Sequence, residues 1–145
     1  MFRCAACGAF NRVGAPPPGA SAPVCGRCKA GLDVSGTPQE VDGGGLARAV
    51  SGAPLPVLVD FWAPWCAPCR AAAPIFQQLG QARAGRLMVL KLNTDAAPQA
   101  SAAHGIQGIP TFILFSGGRE LARQSGVMPL AQLEAWLTQA LPRSG

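Results

Sequence analysis

From residue 40 to residue 142 the chain switches between short apolar runs and stretches with helical spacing. Leu55-Pro56-Val57-Leu58-Val59-Asp60 reads as a buried strand, with Val57 to Trp62 at the centre of a sheet, because a strand covered on both faces shows a continuous apolar run. Cys66 to Arg83 reads as a helix with Ile75, Phe76 and Leu79 on one face. Pro74 inside it predicts a kink, since proline lacks the N–H that bonds back one turn. Leu87 to Leu92 is a further strand, and Gln99 to His104 a short alanine-rich helix. Thr111 to Phe115 and Glu120 to Ser125 flank Gly117-Gly118 and predict a hairpin. Pro129 to Leu141 closes the chain as an amphipathic helix, with Leu130, Leu133, Trp136, Leu137 and Leu141 at helical spacing. Leu46 to Val50 predicts a short helix after a turn at Gly43-Gly44-Gly45. Strands alternating with helices define an α/β domain.

Residues 1–32 lack this periodicity. They are rich in cysteine, glycine and proline, and so short a piece cannot bury enough surface to fold without a staple. Asp33 to Gln39 reads as a linker. The expected organisation is therefore a four-cysteine module over residues 1–32, a linker over 33–39 and an α/β domain over 40–145.

Composition narrows the function. The chain has 145 residues, of which 49% are hydrophobic, with a net charge of +5. That is enough for one domain plus a small module, and too apolar for a disordered chain. The positive charge is diffuse: Arg3, Arg12, Arg27 and Lys29 face only Asp33 in the first part, and no Lys/Arg run occurs. The charge pattern argues against a nucleic-acid partner, which needs a clustered patch. The N-terminus has no apolar h-region and no stretch reaches 18 apolar residues, so the expectation is a cytoplasmic protein without a membrane span. In that compartment thiols stay reduced, and paired cysteines serve catalysis or metal binding.

The six cysteines form three Cys-x-x-Cys pairs. Cys4-x2-Cys7-x17-Cys25-x2-Cys28 has the spacing of a zinc ribbon. Gly8 and Gly26 suit tight turns whose N–H groups point at sulfur. Four thiolates favour tetrahedral Zn2+ in a structural role, with iron the lesser possibility and two further disulfides or redox pairs the alternative. Pro16-Pro17-Pro18-Gly19 makes a stiff loop between the knuckles. His104, the single histidine, reads as a surface helix residue that a four-cysteine site does not need.

The third pair lies in Phe61-Trp62-Ala63-Pro64-Trp65-Cys66-Ala67-Pro68-Cys69. Cys66 opens a helix, where unpaired N–H groups and the positive end of the dipole lower a thiol pKa. Cys69 is one turn further on the same face, within reach of Cys66. Pro68 sits in the first turn, where its missing donor costs nothing. A redox dithiol follows, with a stapling disulfide or two buried thiols as the structural alternative. Asp60 in an apolar strand is costly as a carboxylate, so its pKa should rise.

These residues, together with Val59-Asp60-Phe61-Trp62-Ala63, Lys91-Leu92-Asn93, Gly108-Ile109-Pro110-Thr111 and Gly126, resemble the thioredoxin family over residues 40–142. The family core Trp-Cys-Gly-Pro-Cys appears here as Trp65-Cys66-Ala67-Pro68-Cys69, with alanine for glycine. The resemblance implies the thioredoxin fold, a mixed central sheet flanked by helices. It implies that Cys66 attacks a substrate disulfide, that Cys69 resolves it, and that Asp60 accepts the Cys69 proton with Lys91 as charge partner. It also implies a cis Ile109–Pro110 bond, with Pro110 against the dithiol and the Ile109 backbone pairing with substrate. Trp65, Ile109, Gly126 and Val127 then form an apolar docking surface, Trp62 packs beside the site, and Thr94 alters the rim. The implied partners are disulfide-containing client proteins and an NADPH-linked thioredoxin reductase. The chain itself lacks a Gly-x-Gly-x-x-Gly fingerprint and should bind no nucleotide. With the N-terminal zinc-ribbon module included, the whole chain resembles the zinc-containing second thioredoxins of bacteria. A zinc-linked redox sensor or chaperone-like binding module is the alternative function, and a nucleic-acid-binding ribbon ranks last.

Overall fold

The apolar runs at Val57–Trp62 (β4), Met88–Asn93 (β5) and Thr111–Ser116 (β6) become the three inner strands of one sheet. The structure, a computed structural model, describes residues 1–13 and 23–141. The Pro16-Pro17-Pro18-Gly19 loop lies outside the described residues. Two short strands, Phe2–Arg3 (β1) and Phe10–Asn11 (β2), pair antiparallel at the N-terminus. Then follow Gln39–Glu40 (β3), Gly43–Gly52 (α1), β4, Ala67–Ala82 (α2), β5, Pro98–Ala103 (α3), β6, Arg119–Ser125 (β7) and Leu130–Ala140 (α4). The five-stranded sheet has the order β3-β5-β4-β6-β7. β3 and β4 run parallel to β5, while β6 is antiparallel to β4 and to β7. This is the mixed sheet of the thioredoxin fold.

Period-two alternation divides the inner strands between two cores. Val57, Val59, Phe61, Leu90, Leu92, Ile113 and Phe115 face α1 with Leu46 and Ala49. Leu58, Val89, Phe112 and Leu114 face the opposite side, where α2 supplies Ala72, Phe76 and Leu79 and α4 supplies Leu133 and Leu137. Each fully buried Phe or Leu contributes about 1.5–3 kcal/mol by leaving water. Phe112 packs edge-on against Phe76 and Trp136, with ring centroids 5.4 and 5.1 Å apart.

Two local expectations, the glycine turn and the surface histidine, need correction. Gly43-Gly44-Gly45 is the first turn of α1 and not a turn before it, because the Asp42 carboxylate caps the helix by accepting the Gly45 N–H at 2.6 Å. An Asp N-cap satisfies an orphan donor and so offsets the poor helix propensity of glycine. Pro74 lies inside α2, where it leaves the Arg70 carbonyl without the N–H of residue 74. His104 ends α3 and is half-buried between the rings of Phe61 and Phe115, at 5.8 and 5.5 Å, where burial lowers its pKa. Gln39, at the end of the expected linker, opens β3.

The N-terminal segment touches the sheet edge. The Arg3 guanidinium donates to the Gln39 side-chain oxygen at 2.8 Å, and the Gln39 amide returns a bond to the Arg3 carbonyl at 2.9 Å. Phe10 packs against the α1-side core. Further along, residues 33–37 cross α2 backbone to backbone: a Cβ on Gly36 or on Gly80 would run into the other's carbonyl oxygen. Gly36 also has φ +83°, a conformation that favours glycine.

Candidate functional site

Cys66 is the N-cap of α2, with extended backbone at φ −85° and ψ 110°. β4 ends at Trp62, and the 63–66 segment turns the chain from the strand end into the helix. The backbone N–H of Cys69 donates to Cys66 Sγ at 3.2 Å, so the helix directs a donor at the sulfur where thiolate charge develops. Cys66 and Cys69 are joined as a disulfide, with Cα atoms 5.2 Å apart. Both are buried, Cys66 at 5% and Cys69 at 2% exposure, so a partner reaches the outer sulfur first.

The loop before β6 closes over the pair. Ile109–Pro110 is cis, and the Ile109 carbonyl lies 3.8 Å from Cys66 Sγ. Gly126, at φ +91°, donates its N–H to the Pro110 carbonyl at 2.9 Å, which holds the end of β7 against this loop. Val127 follows and is exposed. On the other side stands Trp65, 67% exposed, with its indole N–H bonded to Asp95 Oδ2 at 2.8 Å. A cavity of about 190 Å3 runs between Trp65 and Ile109, lined also by Thr94, Ser101, Ile106 and Gln107. Thr94 is turned inward, its hydroxyl bonded to the Trp62 carbonyl at 3.1 Å.

Behind the dithiol lies Asp60, 1% exposed, with Oδ1 lacking a hydrogen-bond partner among the described residues. It shares a cavity of about 300 Å3 with Trp62, Cys69, Arg70, Ala73 and Lys91. Burial lifts the Asp60 carboxyl to about 7, Lys91 pulls it down, and Glu40 pushes it further up. Lys91 stands beside Asp60 in the β4–β5 register, and its Nζ lies 4.5 Å over the Trp62 ring.

The second constellation is the N-terminal cysteine cluster. The sulfurs of Cys4, Cys7, Cys25 and Cys28 all lie within 4.8 Å of one another. Cys4–Cys28 and Cys7–Cys25 are each separated by 3.6 Å. A tetrahedron with Zn–S bonds of about 2.3 Å has edges of about 3.8 Å, so the donor set fits zinc. The Arg27 N–H and the Asn11 side-chain amide point at Cys25 Sγ, at 3.4 and 3.6 Å. With the Cys28 N–H as the largest cause, such donors draw the Cys25 thiol down to about 6. Asn11 also accepts the Gly26 N–H at 2.9 Å, bracing one knuckle against the other. The four cysteines can therefore hold a metal ion.

All the site residues expected from the sequence fall into these two places, Trp65, Cys66, Cys69, Asp60, Lys91, Ile109, Pro110, Gly126 and Val127 around the dithiol and the other four cysteines in the cluster. Two neighbours went unread. Asp95 anchors Trp65, and an Asn-x-Asp sequence after a strand was the available signal: Asn93 Oδ1 accepts the Asp95 N–H at 3.0 Å and shapes that turn. Glu40 gave no local signal, because its place depends on strand pairing.

Comparison with known proteins agrees with this geometry. The thioredoxin family profile matches residues 41–139. A thioredoxin of Synechocystis is 42% identical over 108 residues, covering 74% of this chain and all of that protein. A thioredoxin of Alicyclobacillus acidocaldarius is 49% identical over 86 residues, covering 59% of this chain and 82% of its own. Thioredoxin C-3 of Corynebacterium nephridii is 38% identical over 138 residues, covering 95% of this chain and 93% of its own, so that match extends into the cysteine-rich segment.

Proposed function

The chain belongs to the thioredoxin family and is a thioredoxin-type protein-disulfide reductase, and on that premise we propose that it reduces client proteins by cycling Cys66 and Cys69 between dithiol and disulfide. The Cys66 thiolate attacks one sulfur of the client disulfide. A Cys66–client disulfide forms, and the other client sulfur leaves as a thiolate that takes a proton from solvent. Cys69 then gives its proton to the Asp60 carboxylate and attacks Cys66 Sγ. The second client sulfur leaves as a thiolate, is protonated, and the Cys66–Cys69 disulfide remains. Two electrons have passed to the client.

The Cys69 N–H at 3.2 Å from Cys66 Sγ is the observation that carries this reading, because it stabilises Cys66 as the attacking thiolate. Trp65, Ile109, Gly126 and Val127 receive the client, with the Ile109 backbone pairing to an extended segment. Pro110 covers the dithiol, and Lys91 supports the Asp60 carboxylate. A thioredoxin reductase drawing on NADPH resets the disulfide, and the reducing cytoplasm is the setting. Cys4, Cys7, Cys25 and Cys28 hold zinc, which supplies the folding energy the N-terminal segment cannot draw from its small core of Cys4, Cys25 and Leu32.

The test is NADPH consumption with thioredoxin reductase and insulin. Turnover abolished by Cys66→Ser, and a trapped mixed disulfide with Cys69→Ser, are the expected results. A folded, reduced protein without turnover overturns the reading.

A further inference from the structure

Three residues on three parallel strands stand in one row. Glu40 of β3 pairs with Lys91 of β5, and Lys91 pairs with Asp60 of β4. Residues in register on adjacent parallel strands project from the same face, about 4.8 Å apart. The one ammonium group in the row therefore stands between two carboxylates, an exposed one at the sheet edge and a buried one behind the dithiol. Among the described residues neither carboxylate closes a direct ion pair with Lys91. Its charge acts on both across a gap, and at Asp60 the potentials of the ammonium and of the Glu40 carboxylate add with opposite sign.

The surroundings of Asp60 add little to divert this. β6 presents Phe112, and α2 presents Ala73, Phe76 and Gln77. α2 also carries Arg70 on the shared cavity, with Nη1 bonded to the Pro64 carbonyl at 2.8 Å. Residues Thr37 and Pro38 close a second cavity of about 90 Å3 beside Asp60 and Lys91.

We propose that Glu40 is a positioning residue for the resolving step, its negative charge offsetting part of the Lys91 potential at Asp60 so that Asp60 keeps its affinity for the Cys69 proton. The proposal rests on the reading of Asp60 as proton acceptor. A buried carboxylate facing an unopposed ammonium is a weak base. With Glu40 ionised beyond the ammonium, Asp60 remains a base matched to neutral pH. The rise that Glu40 imposes on the Asp60 pKa has the same sign.

The experiment follows the Asp60 carboxyl by 13C NMR across pH in the full-length oxidised protein, with Glu40→Gln and Glu40→Asp compared to the parent. A unit charge removed two strand spacings away should lower the Asp60 midpoint by about half a pH unit in Glu40→Gln. Glu40→Asp should retain the parent midpoint, and the pH profile of mixed-disulfide resolution should move with the NMR midpoint. Lost edge packing alone changes melting and leaves the midpoint in place. Identical midpoints in all three proteins overturn the proposal. Resolution rates unchanged by Asp60→Asn overturn the proton-acceptor reading instead, and the NMR midpoints still decide whether Glu40 acts on Asp60.

Discussion

Asp95 Oδ2 accepts the indole N–H of Trp65 at 2.8 Å, tying the exposed ring before Cys66 to the turn after β5. The ring thereby forms a fixed wall of the cavity that ends at Ile109. A fixed wall loses no rotamer freedom when a client docks.

Asp95→Ala should therefore weaken protein substrates more than small ones. An exposed hydrogen bond of this kind contributes about 1 kcal/mol, roughly fivefold in kcat/KM. Steady-state reduction of insulin should show that loss mainly in KM, while a small aromatic disulfide should be reduced at nearly the parent rate. Equal losses on both substrates would place the effect on the dithiol itself.

The Asp60 carboxyl, lifted to about 7 by burial, makes stability depend on pH. Between pH 4 and pH 7 the folded protein retains a proton that the unfolded chain releases, so stability falls as pH rises through this window. Asp60→Asn should flatten the slope and stabilise the protein at pH 8 by up to about 4 kcal/mol. The same variant should slow resolution of the mixed disulfide. Urea denaturation at pH 5 and pH 8 measures the first effect, and single-turnover release of client thiol the second.

Metal removal should act on one part of the chain. A mercurial with a colorimetric chelator is expected to release one zinc per chain, and Cys28→Ser to bind it poorly. Hydrogen exchange should then accelerate around Cys4–Gly8 and Cys25–Lys29, whose turns are held by N–H bonds from Gly8 to Cys4 and from Lys29 to Cys25. β4 and β6 should keep their protection. Uniform loss of protection across the chain would contradict zinc as a local staple.

Gly80→Ala reverses an ordinary expectation. In an open helix interior alanine gains about 1 kcal/mol over glycine. Here the new Cβ meets the Gly36 carbonyl oxygen, which belongs to backbone and cannot rotate away. The variant should lose about 2 kcal/mol in chemical denaturation, as overpacked sites do.

What was legible in the sequence follows from range. β4, β5 and β6 are apolar runs broken only by single polar residues such as Asp60 and Lys91, and the start of α2 is marked by Cys66 and Pro68, so local pattern sufficed. The cysteine cluster was legible from spacing alone. β3 was not, because a half-exposed and an exposed residue become a strand only by pairing with β5. The glycine triplet misled because the cap that rescues it is a single carboxylate one residue upstream. His104 misled because the rings that enclose it come from β4 and β6, outside its own helix.

Gln39 and Glu40 are neighbours on one short strand, so their side chains leave opposite faces of the sheet. One engages Arg3 of the cysteine-rich segment, and the other meets Lys91. The chain between the two parts is thus a ruler rather than a tether. Inserting or deleting one residue between Gly36 and Gln39 exchanges the two faces, and a single slip misplaces both contacts at once. Anyone grafting this N-terminal segment onto another redox domain must carry the β3 register with it.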